Sequence, residues 1–95
     1  MPENTTEICF VQLLVEVRAV IVQMLKNNLG YLEQESLIER LHNLIHISAK
    51  LAKMAQEDYE GAWLFVFGAL CQLMSEGVII FDEEKKEYFL SQNMD

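Results

Sequence analysis

The sequence predicts a mostly helical α+β chain that ends in a β-hairpin, and three observations predict it. Apolar residues recur at helical spacing through three long stretches, alternation and turn residues take over after Gly77, and no proline follows Pro2. Ninety-five residues suit a single domain spanning 1–95.

The first helix is expected over residues 6–28. Asn4 with Glu7 three residues on has the form of a capping box, and Asn27, Asn28, Leu29 and Gly30 make a C-terminal stop. Gln12, Glu16, Ala19, Gln23 and Lys26 fall on one narrow stripe. Of the 18 residues from Ile8 to Leu25, 14 are apolar, so this helix is greasy round most of its circumference and belongs in a core or against another subunit. Val15, Glu16, Val17, Arg18 and Ala19 alternate as a strand would, but twenty residues without a turn signal favour helix.

Residues 33–56 form one amphipathic helix or a helix pair. Leu37, Leu41, Leu44, Ile45 and Ser48 share a face, with Ile38 at its edge, and Glu35, Glu39, His42 and His46 share the opposite one. If the segment breaks near His46–Ser48, Ser48 is a suitable N-cap for the second piece. A further helix is expected over 58–76, capped by Asp58 and stopped by Gly77, with Tyr59, Trp63, Val66, Phe67, Leu70, Leu73 and Met74 along its core stripe. The hairpin covers 78–90: strands from Val78 to Phe81 and from Glu87 to Leu90, joined by a five-residue loop from Asp82 to Lys86.

The spacing Leu70, Leu73, Gly77, Val78, Ile79, then a polar loop and Tyr88, Phe89, Leu90, Ser91, resembles the recognition helix and wing of a winged-helix domain. The resemblance covers about the last third of the chain. It implies a helix that reads DNA and a wing that touches phosphates, with Lys85 and Lys86 as the nucleic-acid contacts. The residues do not carry that function over. The outward positions of the helix, Glu60, Leu64, Phe65, Gly68, Gln72, Ser75 and Glu76, include no cation, and Asp82, Glu83 and Glu84 precede the two lysines. Phosphate neutralisation and base readout need donors that this surface lacks.

Charge argues the same way. The chain has seven basic and fifteen acidic residues, a net charge of −8, with its lysines and arginines dispersed. Such a surface repels nucleic acid and anionic membranes. Glu16 and Arg18 near the middle of the first apolar run argue against a membrane span, since a central charge costs about 2.5–3.5 kcal/mol on insertion scales. Met1, Pro2, Glu3 and Asn4 are not the start of a signal peptide. Cys9 and Cys71 lie in apolar runs without metal-ligand spacing, so they are expected to be buried, reduced thiols in a cytoplasmic protein.

Chemistry-bearing constellations are sparse. Glu39, His42 and His46 could approach one cation across helix turns, but the simpler reading is the solvated stripe of an amphipathic helix. There is no phosphate loop, nucleophile elbow or HExxH. No enzyme activity, cofactor or metal is expected.

Hydrophobic residues make up 52% of the chain, whereas a chain this short buries only about 60–68% of its unfolded surface. Some of that apolar surface should therefore meet another chain. The function expected is a small acidic protein–protein interaction module, homodimeric through Phe10, Leu14, Val17, Ile21 and Leu25, with Leu64, Phe65, Gly68 and Gln72 contacting a second protein. Two alternatives stand beside it: a winged-helix transcription regulator, and an acidic inhibitor whose Glu57, Asp58, Glu60, Glu76 and Asp82 to Glu84 occupy a partner's nucleic-acid groove.

Overall fold

In the computed structural model, which describes residues 9–91, four helices and three short strands follow in the order α1 (Phe10–Lys26), β1 (Tyr31–Glu33), α2 (Gln34–Ile47), α3 (Ala49–Glu57), α4 (Tyr59–Ser75), β2 (Ile79–Asp82) and β3 (Glu87–Leu90). The chain is mostly helical with a C-terminal antiparallel hairpin, as its periodicity predicts, and the arrangement is compatible with a winged helix. The capping box expected at Asn4 and Glu7 lies outside the described residues. The alternating Val15–Ala19 segment is helical.

Local chemistry sets most of the boundaries. Asn27 caps α1, and the turn after it passes through Leu29 and Gly30, both at positive φ, with the Gly30 N–H donating to the Leu25 carbonyl at 2.7 Å. The 33–56 segment is a helix pair. At Ser48 the backbone turns extended and the hydroxyl accepts from the Leu51 N–H at 3.3 Å, so the residue ends α2 and starts α3. Asp58 caps α4 by accepting from the Gly61 N–H at 3.0 Å. A Cβ on Gly61 would sit 2.5 Å from the Asp58 carboxylate, so a larger residue at this position would require that carboxylate to turn aside. Gly77, at φ +82°, ends the turn after α4.

The sheet has order β1–β3–β2, with β3 central and antiparallel to both neighbours. Strand β1 has no counterpart in the sequence reading, and the hairpin loop is four residues long, not five, because Asp82 pairs with Glu87 and belongs to β2. Asp82 Oδ1 accepts from the N–H groups of Glu84 and Lys85, at 2.9 and 3.2 Å, which fixes the turn.

Helix α4 is the hub, packing on α1, α2 and α3 and feeding into β2. Its innermost line is Ala62, Val66, Ala69, Leu70 and Leu73. The two alanines centre the core stripe away from the aromatic residues, and Tyr59, Trp63, Phe67 and Met74 form a flank beside it, none of them buried. The core is completed by Leu13, Val17, Ile21 and Leu25 of α1, Leu37, Leu41, Leu44 and Ile45 of α2, Leu51 of α3, and Leu32, Ile79 and Tyr88 of the sheet. No polar or charged residue is buried among the described residues.

Candidate functional site

The inward line of α1 decides which of its apolar residues can meet another molecule. Val17, Ile21 and Leu25, expected in a self-association seam, are buried in the chain's own core with Leu13. This corrects the expected seam. Its residues do share a helix face, but that face is turned inward, and an all-round apolar helix gives no sign of which side its own chain will cover. Leu14 is half-buried, and Phe10, one turn before Leu13 at the helix start, is 55% exposed.

The most exposed apolar residues of the body of α1 lie on the flank toward α4, with Val20, 37% exposed, on another side. Val11 and Val15 are 75% and 60% exposed. On α4 the outward residues are Leu64, 59% exposed, with Gly68, Cys71 and Ser75 beyond it and half-buried Phe65 beside it. The two helices run alongside one another in the same direction. Phe10 meets Phe65 with ring centroids 6.0 Å apart at one end, and Arg18 reaches Gln72 and Glu76 at the other. Between them lies one apolar face made by Phe10, Val11, Val15, Leu64, Phe65 and Gly68. It continues past Arg18 into a groove lined by Val22, Leu73 and Val78.

The residues expected to contact a second protein thus belong to this same face. Leu64, Phe65 and Gly68 join Phe10 on it, and Gln72 is engaged by Arg18 at 2.7 Å. The charged groups set into it are Arg18 and Glu76. The guanidinium holds the Glu76 carboxyl below its ordinary value, chiefly through their hydrogen bonds, and the carboxylate raises Arg18 in turn. Away from the face, Glu16 pairs with Lys50 of α3 at 3.8 Å.

Cys9 and Cys71 are free and exposed, contrary to the expected burial. Cys71 falls one turn beyond Gly68 on the outward side of α4, a position an apolar run does not reveal. His42 departs from the expected solvated stripe. Its ring stacks on Trp63 at 4.2 Å, with planes 1° apart, and its Nδ1 lies 2.6 Å from the Tyr59 hydroxyl. His46 stacks against Tyr59 at 6.0 Å, so the two histidines meet the aromatic flank of α4. No group of three or more histidine, cysteine or carboxylate side chains is placed to hold a metal ion among the described residues.

Lys85 and Lys86 project from the hairpin loop, near Glu33, Gln34 and Glu35. Cations surrounded by carboxylates in this way make a poor phosphate clamp. Burial pushes the Tyr88 phenol above its ordinary value, with the Cys71 thiol adding to the effect and a hydrogen bond with Gln34 opposing it. No helix among the described residues is long and apolar enough to cross a membrane. No protein-family model matches the chain, and neither a curated protein nor a solved structure is similar enough to it to count as a match.

Proposed function

We propose that the chain is a non-catalytic protein-interaction module that pairs with a second copy of itself through the α1–α4 face, on a winged-helix-like frame without DNA readout. The observation that carries this reading is the exposure of Val11, Val15 and Leu64 as one patch beside Phe10 and Phe65. Large apolar residues gathered on one face mark an interaction site or an aggregation hazard, unlike the same residues scattered singly.

Charge selects the second copy as occupant. A chain carrying −8 repels its own kind over most of its surface. The α1–α4 face is the exception, because Arg18 and Glu76 neutralise each other within it and Phe10, Val11, Val15, Leu64, Phe65 and Gly68 carry no charge, the carboxylates of Glu57 and Asp58 standing at its rim with Glu60. Two copies related by a twofold axis can therefore meet there without setting carboxylate against carboxylate at its centre. Each aliphatic side chain removed from water contributes about 1.5–3 kcal/mol, whereas an exposed ion pair contributes about 0–1 kcal/mol, so Val11, Val15 and Leu64 would dominate the energetics.

Support for a DNA-binding regulator is confined to the helix–hairpin arrangement. The outward face of α4 presents Glu60, Leu64, Gly68 and Cys71 where a reading helix would need donors. The test of the proposal is the molar mass in solution of the unmodified chain beside a variant with a charge placed in the face.

A further inference from the structure

We propose that the outer face of the three-stranded sheet docks an arginine-bearing segment of another protein. The strand register sets two rows of side chains across this face. Tyr31 and Ile80 both pair with Phe89, which makes an apolar row, and Tyr31 and Ile80 are each 42% exposed. Two residues along each strand, Glu33 and Asp82 both pair with Glu87, which makes a row of three carboxylates. The opposite face of the sheet, with Leu32, Ile79 and Tyr88, is turned into the core, so both rows belong to the face turned away from the core of the described residues.

Carboxylates placed directly opposite one another across strands oppose folding, and the nearest cation is Lys85, which lines the same hollow as Tyr31, Asp82, Glu87 and Phe89. No ion pair engages Glu33, Asp82 or Glu87 among the described residues, although Lys85 and Lys86 are close by in the loop. Glu33 stands at the N-cap of α2 without a side-chain capping bond. Only Asp82 has a local structural task, through its Oδ1 in the turn. The three carboxylates do not converge into a metal site among the described residues, and a cation carried on an extended side chain suits a row spread across three strands.

Strand spacing is about 4.8 Å and the two rows stand about 6.5 Å apart along the strands. A guanidinium among the carboxylates can therefore lay its aliphatic stem over Tyr31 and Phe89, where ring faces attract the cation as well. Arginine fits better than lysine because its planar fork takes two carboxylate oxygens at once.

The test uses a short synthetic peptide alternating arginine with valine, titrated into the isotope-labelled full chain while backbone amide shifts are followed. Amides of Tyr31, Glu33, Ile80, Asp82, Glu87 and Phe89 should move together, and affinity should fall as salt rises. The double variant Glu33→Gln, Glu87→Gln should weaken binding about tenfold or more, while Glu57→Gln with Glu60→Gln, which removes the same charge elsewhere, should change it less than about twofold. No binding, shifts spread over the whole surface, or equal losses in the two variants would each overturn the proposal. None of these sheet residues belongs to the α1–α4 face, so a chain that binds the peptide but is monomeric would refute self-association and leave this docking surface standing.

Discussion

Arg18 of α1 grips Glu76, the C-cap of α4, with both guanidinium nitrogens, at 2.5 and 2.8 Å. A carboxylate at a helix C-terminus faces the negative end of the helix dipole, and the guanidinium offsets that cost while tying the end of α4 to the middle of α1. Because Glu76 is held below its ordinary value in the folded chain, this contribution is fully present above the unfolded carboxylate value and is lost as pH falls through the lower, folded one. Thermal melts taken from neutral to acid pH should therefore show a loss that is smaller in Arg18→Met, whose melting temperature is already reduced at neutral pH.

The two sides of α1 should answer mutation differently. Ile21 is fully buried, so Ile21→Ala should cost about 2–5 kcal/mol in denaturant unfolding, and Ile21→Asp should not fold. Val15→Asp, on the exposed flank, should keep the helical circular dichroism signal and a cooperative melt, lowered only by the loss of the pairing that the face supplies.

His42 should behave as a packing residue of the α2–α4 junction. His42→Ala removes a stack worth about 0.5–1.5 kcal/mol beyond its burial and opens one face of Trp63, the only tryptophan. Stability should fall by that order, and indole emission should shift to the red.

The carboxylate row makes a prediction of opposite sign. Glu87 stands between Glu33 and Asp82, so Glu87→Gln relieves two like-charge contacts and should stabilise the chain by about 0.2–1 kcal/mol. Equilibrium unfolding of the variant beside the unmodified chain checks it.

Much of this architecture is legible in the residues themselves. Asp58 and Gly77 bracket α4, Ser48 marks the α2–α3 junction, and the alternation on either side of the loop sets the hairpin, because each depends on contacts within a few positions. Strand β1 is not legible. Three residues are too few to show alternation, and Tyr31–Glu33 becomes a strand because β3 offers it an edge. The orientation of α1 is hidden for a related reason: Val11, Val15, Val17 and Ile21 are equivalent by hydrophobicity, and only the reach of Arg18 to Glu76, 58 residues away, shows which flank lies beside α4. The stack of His42 on Trp63 and the two rows on the sheet likewise depend on partners distant in sequence.

Light scattering coupled to size exclusion, comparing the unmodified chain with Leu64→Asp, bears most directly on the self-pairing of the α1–α4 face. The account predicts twice the chain mass for the unmodified protein and a folded species of single-chain mass for Leu64→Asp. An unmodified chain that runs at single-chain mass at every concentration, or a Leu64→Asp dimer indistinguishable from it, would contradict the account.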